Sequence, residues 1–128
     1  MSLHLLLALL LALAVPAGAE ITGPSGRCAG VASALVPMGY EAVTVSSASI
    51  GLTPASFATS RGVAIAALAH VAAADINVRD DGTAPTTTVG MPFAATEKFW
   101  ICRSSLGTFR AIAQAGDATL HVVYFRSP

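Results

Sequence analysis

Apolar residues recur at every second position through much of the chain after residue 40. The segment "EAVTV" places Val43 and Val45 on one side and Thr44 on the other. "DINVR" repeats the pattern with Ile76 and Val78. Because successive side chains of a strand point to opposite faces, this alternation predicts β-strands with one buried face.

The same alternation marks "EKFWIC" at residues 97–102, "TFRAIA" at 108–113 and "TLHVVYF" at 119–125. In the first of these, Phe99 and Trp100 are consecutive, so their side chains are expected to leave opposite faces. "VAIAALAHV" at residues 63–71 is ambiguous, because its alanines favour a helix whereas Val63 and Ile65 after Gly62 favour a buried strand. Since its neighbours are all β-like, we predict a strand.

Turn chemistry separates these segments. "TPASFATSRG" at residues 53–62, "SSLG" at 104–107 and "QAGDA" at 114–118 are predicted loops or turns, and no helix is strongly specified. Short strands at regular spacing with turns between them predict an all-β fold, a small antiparallel β-sandwich of the jelly-roll-like kind. Residues 38–128 are the predicted domain.

A hydrophobic segment precedes this domain. Leu3 to Val15 is too short to span a bilayer and is followed by a small-x-small site ending at Ala19. The pattern predicts a signal peptide at residues 1–19 and a linker at 20–37, although no Lys or Arg lies ahead of the apolar run. The alternative is that translation begins at Met38 and that the upstream residues are misassigned.

The expected state of the cysteines depends on where the chain begins. Cys28 and Cys102 are the only two, and in an exported chain they are expected to form a disulfide. In a chain that begins at Met38, Cys102 is alone and is most simply a small buried apolar residue.

Composition excludes one class of partner. Seven Lys and Arg balance seven Asp and Glu, and charged residues make up 11% of the chain. A nucleic-acid partner is therefore not expected, because there is no basic stripe to displace counterions.

Catalytic and metal motifs are also missing from the sequence. It contains no G-x-S-x-G, H-E-x-x-H or C-x-x-C pattern. His70 and His121 lie in apolar strands, and a shared metal would need both of them plus a carboxylate on facing strands. We therefore predict no catalytic residue, no metal and no cofactor.

The segment "RDDGTAPTTTVGMPF" at residues 79–93 follows a predicted strand and raises the question of a calcium loop. An EF-hand needs a glutamate at the twelfth position, and counting from Asp80 that position holds Met91. Asp side chains followed by Gly are instead typical of turns. We interpret the segment as a structural turn carried by Asp80, Asp81, Gly82, Thr83, Pro85 and Gly90.

Aromatic and basic residues on the strands are the best candidates for contact with a partner. A solvent-facing Trp could anchor a protein or stack on a sugar, unless a second sheet covers it. The candidate interface residues are Trp100, Arg79, Arg103, Arg110 and Tyr124.

Residues Met38 to Arg126 resemble a family of small phage and prophage proteins. The matching features are "INVRDDGTAPTTTVGMPF", an aromatic-containing strand, "FRAIAQAG" and the closing "ATLHVVYFR". That family reads strand, R-x-D-G-T-x-P-T-x-x-x-G, strand, F-R-x-I and a last strand. Its members are virion-associated structural proteins of the head-decoration or stabilisation kind. The resemblance implies a β-sandwich that packs against other virion proteins and against copies of itself, with no catalytic residues.

Two functions are expected from these observations. The first is a non-enzymatic structural protein of a phage particle, assembled in the host cytoplasm from a chain that begins near Met38. The alternative is a periplasmic or secreted binding module, closed by the disulfide, that recognises a glycan or a host surface. Neither includes stable membrane insertion once the signal has been removed.

Overall fold

The computed structural model of the protein describes residues 21, 22, 28 and 35–128. The predicted signal peptide therefore lies outside the described residues, as does most of the predicted linker. In the described part of the chain, no helix has the length and apolar character needed to cross a bilayer.

Ten strands, one short α-helix and one 3-10 turn make up the described chain. In order they are β1 (Ile21–Thr22), β2 (Val36–Val45), α1 (Pro54–Phe57), β3 (Ala58–Thr59), β4 (Gly62–Val63), β5 (Ala66–Ala72), β6 (Ile76–Arg79), β7 (Met91–Phe93), β8 (Lys98–Cys102), a 3-10 turn (Arg103–Ser105), β9 (Arg110–Ala113) and β10 (Ala118–Arg126).

The strands form two main antiparallel sheets. The larger has five strands in the order β1-β8-β5-β10-β2, and the smaller has three in the order β7-β6-β9. β3 and β4 form a separate two-stranded pair. The predicted antiparallel sandwich is confirmed.

The hydrophobic core lies between the two sheets. The five-stranded sheet contributes Leu120, Val122 and Tyr124, and the three-stranded sheet contributes Ile76 and Val78, all at most 1% exposed. Three phenylalanines stack at the centre of the core, with 4.1 Å between the ring centroids of Phe93 and Phe99 and 6.1 Å between those of Phe99 and Phe109. Burial of each large side chain contributes about 1.5–3 kcal/mol.

The ambiguous alanine-rich segment is the central strand β5. It pairs with β8 on one side and β10 on the other, so every residue from Ala66 to His70 has neighbours on both flanks. Ala67 and Ala69 are fully buried on the core side. Pairing on both flanks outweighs the helix preference of alanine, which is under one kcal/mol per residue relative to most residues.

The segment predicted as a loop at residues 53–62 contains the single-turn helix α1. Pro54 begins it, where a fixed φ and a missing N–H are tolerated. The Phe57 ring packs at 5.9 Å from that of Tyr124, so the turn covers one end of the core.

Part of the predicted linker belongs to the sheet. Val36 and Pro37 pair with Arg126 and Phe125 at the beginning of β2, and β1 pairs with the edge of β8. The sheet therefore extends upstream of Met38. The alternation signal missed these residues because β1 has only two residues and β2 has a register shift near Met38.

The acid-glycine-threonine segment folds back over the outer side of the three-stranded sheet. There it covers Asn77, whose side chain is 4% exposed and donates from Nδ2 to the Thr86 carbonyl at 2.9 Å. The Oδ1 atom of Asn77 accepts from Nε2 of Gln114 at 2.9 Å, so both ends of the buried amide are paired. Thr86 Oγ1 in turn accepts the N–H of Val89 at 2.9 Å. The segment is thus a packed part of the sandwich.

We expect Gly90→Ala to destabilise the protein by roughly 2–3 kcal/mol, measured as the free energy of unfolding in urea. Gly90 has a φ of +142°, and an added Cβ would lie 3.0 Å from the Val78 carbonyl oxygen and 3.2 Å from the Asn77 Cβ. The matched control is Gly116→Ala, since a Cβ there meets nothing within 4 Å. Equal losses in the two variants would contradict the close packing of the loop.

Candidate functional site: the outer face of the five-stranded sheet

We use the term outer face for the side of the five-stranded sheet that points away from the core. Alternation along the strands places every second residue of β2, β5, β8 and β10 there. Its main side chains are Tyr40, Ala42, Ala66, Leu68, His70, Lys98, Trp100, Cys102, His121, Val123 and Phe125.

One row of the outer face is apolar. Tyr40, Val123, Leu68 and Trp100 are directly opposed in register across β2, β10, β5 and β8. The three inner members of the row are half-buried, whereas Tyr40 is 60% exposed. Four adjacent strands thus present a continuous line of aliphatic and aromatic groups.

The end of this face is closed by a disulfide bond between Cys28 and Cys102. The two cysteines form a small buried cluster with Ala66, and Trp100 packs against it. The Trp100 ring is tilted against that of Phe125, with 5.5 Å between centroids. Trp100 is therefore held in place by its neighbours while part of its surface remains accessible.

The next row along the strands is polar. Ala42, His121, His70 and Lys98 are opposed in register. The Tyr40 hydroxyl lies 2.7 Å from Nδ1 of His121. The His121 ring stacks on Tyr40 and on His70, each at 6.1 Å between centroids. The planes of neighbouring rings differ by 18° and 26°, so the three rings lie side by side along the row, and Tyr40 remains 60% exposed.

The predicted interface residues do not form one surface. Trp100 lies on the outer face, whereas Arg79 and Arg110 are directly opposed on β6 and β9, in the other sheet. Alternation puts these arginines on the far side of the sandwich from Trp100. Arg103 is exposed in the 3-10 turn after β8.

The prediction that Tyr124 contacts a partner is wrong, because its side chain is fully buried in the core. Its O–H donates to Oε1 of Glu41, which also accepts the N–H of Thr53 at 3.1 Å. Burial, together with the neighbouring Glu41 carboxylate, raises the pKa of Tyr124 above its ordinary value. Tyr124 therefore has a structural role, in which its buried hydroxyl is satisfied by Glu41 at the edge of the core.

Of the two acids in the 79–93 segment, Asp81 has its partners within the turn. Asp81 forms an ion pair with Arg79, and its Oδ1 accepts the N–H of Thr83 at 3.1 Å. The hydrogen bond from Arg79, followed by that from Thr83, lowers the pKa of the Asp81 carboxyl.

Asp80 joins this turn to the 3-10 region. Its Oδ2 accepts from the Ser105 hydroxyl at 3.3 Å, and its carbonyl accepts from the Thr108 hydroxyl. Gly82, at a φ of +82°, donates its N–H to the Thr108 carbonyl at 3.1 Å. Both acids therefore hold backbone and side chains of the turn together, which is a structural role.

Searches for similar proteins identify no relative: no family model, no curated protein and no solved structure matches the chain.

We expect Tyr124→Phe to destabilise the protein by about 1–3 kcal/mol, because the Glu41 carboxylate loses a buried donor. The raised pKa of Tyr124 also predicts that the free energy of unfolding depends on pH. Below about pH 10 the hydroxyl is neutral in both states and its contribution is fully present. Above about pH 10 the Tyr124 hydroxyl of the unfolded chain loses its proton, whereas that of the folded chain keeps it. The free energy of unfolding therefore falls with rising pH until the folded chain also loses the proton.

Urea unfolding at pH 8–11 measures both effects, and the difference between wild type and Tyr124→Phe should shrink as pH rises above 10. Tyr40→Phe is the control, since Tyr40 is 60% exposed. An alkaline limb that Tyr124→Phe leaves unchanged would show that another group causes it.

We expect loss of the disulfide to destabilise the protein by about 3–4 kcal/mol, because the bridge closes a long loop in the unfolded chain. The sequence separation of the two cysteines is 74 residues. Urea unfolding of the Cys28→Ala, Cys102→Ala double variant measures the loss. Added reductant should lower the stability of wild type and leave the double variant unchanged, and a wild type insensitive to reductant would contradict the bond.

Proposed function

We propose that the protein is a non-enzymatic structural protein that packs the outer face of its five-stranded sheet against another protein, as a component of a phage or prophage particle. The observation that carries this proposal is the apolar row Tyr40, Val123, Leu68 and Trp100. The resemblance of residues 38–126 to virion-associated proteins supplies the biological setting.

The apolar row has the character of an interface centre. Such centres are enriched in aromatic residues and depleted of charge, and Trp and Tyr are frequent hot spots. Lys98 is the only charged side chain among the main residues of the outer face named above. The row lies on strands paired on both flanks at β5, β8 and β10, so little backbone conformational freedom is lost on binding.

The two sides of the sandwich differ in a way that favours this face. The outer side of the three-stranded sheet is covered by the 80–90 segment, which buries Asn77 and Pro85. On the outer face of the five-stranded sheet, the described residue that packs over the strands in this way is Cys28, which covers Ala66 next to Trp100. Exposed apolar side chains also occur elsewhere, at Ile50, Val63, Val89 and Met91. What distinguishes the larger sheet is that its apolar side chains form one continuous row across four paired strands.

The disulfide favours a second candidate, an exported binding module. Disulfides persist in oxidising compartments and are rare in the cytoplasm, where phage particles are assembled. The predicted signal peptide at residues 1–19 agrees with export. This candidate keeps both ligands expected from the sequence, a glycan or a host surface, because Trp100 and Tyr40 are accessible aromatic side chains that could stack on a sugar or anchor a protein.

Substitutions on the apolar row test the docking surface. Leu68→Lys places a charge at its centre, and we expect binding of the protein to its particle to fall by at least about tenfold. Co-sedimentation of the purified protein with particles measures this, with unfolding curves to confirm that the variant is folded. The matched control is Thr87→Lys in the exposed loop, which should co-sediment like wild type. Failure of the wild type itself to sediment with particles would reject the virion role.

The intact mass of native material separates the two candidates. A mass that begins at Glu20 and is two hydrogens lighter than the reduced chain would establish the exported module. A mass that begins at Met38 would support the virion protein, because Cys28 would then be absent.

A further inference from the structure

We propose that His70 and His121 together bind one divalent transition-metal ion, such as Zn²⁺ or Cu²⁺, on the outer face. The inference is independent of the proposed docking function. It rests on the register of β5 against β10, which makes the two histidines direct neighbours.

The geometry places two imidazoles within reach of one ion. Directly opposed residues of an antiparallel pair have Cβ atoms about 4.5–5.5 Å apart. The centroids of the two rings are 6.1 Å apart, and their planes differ by 26°. A shared zinc ion would need both half-buried rings to rotate so that one nitrogen of each lies roughly 2.0–2.1 Å from the ion, and a centroid separation of 6.1 Å is close to that of two imidazoles on one metal. The pairing of β5 and β10 on both flanks keeps the two backbones fixed.

Tyr40 supplies the positioning contact that metal-binding histidines ordinarily have. Such histidines commonly donate the N–H of the second ring nitrogen to a fixed acceptor. The Tyr40 hydroxyl lies 2.7 Å from Nδ1 of His121, so an Nδ1–H that donates to it leaves Nε2 with a free lone pair. Tyr40 would therefore orient the ligand without touching the metal.

The neighbours of the two histidines in the polar row limit how tightly the site can bind a metal ion. Lys98 lies directly opposite His70 on β8, and its positive charge opposes cation binding. The described residues contain no group of three or more metal-ligating side chains, so the protein supplies two ligands and water supplies the others. Two imidazoles favour copper, nickel and zinc over magnesium and calcium.

Calorimetric titration of the full chain with Zn²⁺ alone tests the pair. The chain has three histidines, so all proteins should carry His4→Ala, which leaves only His70 and His121. We expect saturable binding of one ion, and its loss in both His70→Gln and His121→Gln. Saturable binding that persists in either variant, or no binding by the His4→Ala protein, would overturn the proposal.

Two neighbouring substitutions distinguish this site from weak binding elsewhere on the surface. Tyr40→Phe should weaken binding by about 10- to 100-fold, because His121 loses its orienting partner. Lys98→Met should tighten binding, because a nearby positive charge is removed. Unchanged affinity in both variants would contradict the assignment.

Electron paramagnetic resonance with Cu²⁺ gives an independent readout of the ligands. The His4→Ala protein should show coupling to two imidazole nitrogens, and this two-nitrogen signal should be absent from each glutamine variant that remains folded. Coupling to a single imidazole in the His4→Ala protein would reject a shared ion.

Discussion

The antiparallel pairing of β5 with β10 is the constraint on which the rest of the structure depends. Its seven register pairs run from Thr119 opposite Ala72 to Phe125 opposite Ala66. Because side chains alternate with a period of two, this register sends Val122 into the core and His121 to the outer face. A slip of one residue would exchange the two faces, so the core and the candidate site are fixed by the same hydrogen bonds.

The outer surfaces of the two sheets are covered by different parts of the chain. On the smaller sheet, the acid-glycine-threonine segment adds a layer that hydrogen-bonds the buried Asn77. On the larger sheet, the disulfide closes one end of the face, and the apolar row beside it remains partly accessible. A buried amide group without a partner costs about 1–3 kcal/mol, so the hydrogen bond from Asn77 to the loop stabilises the fold. The apolar row carries no such requirement, and it is the surface that we propose contacts a partner.

Alternation in the sequence predicted β6, β8, β9, β10 and the end of β2, and the opposite directions of Phe99 and Trp100. It missed β1, β3, β7 and the beginning of β2, which lie in segments predicted as linker, loop or turn. It could not predict which strands pair, and this is why the Tyr40, His121 and His70 row was missed. His70 and His121 are far apart in the chain, and only the register of β5 on β10 brings them together. Tyr124 was misjudged for a related reason: the pattern gave its side of the strand, but not that this side faces a second sheet.

The beginning of the mature chain decides how the β8 edge is covered. In the structure, β1 pairs with two residues of β8, and Cys28 clusters with Ala66 and packs with Trp100. A chain that begins at Met38 has neither, so it would expose a strand edge and an apolar cluster. Natural proteins cover such edges, and pairing with a strand of another protein is a common solution. The proposed virion role would therefore need a partner at β8 in addition to the outer face, whereas in a chain that includes residues 21–28 β1 already covers part of that edge.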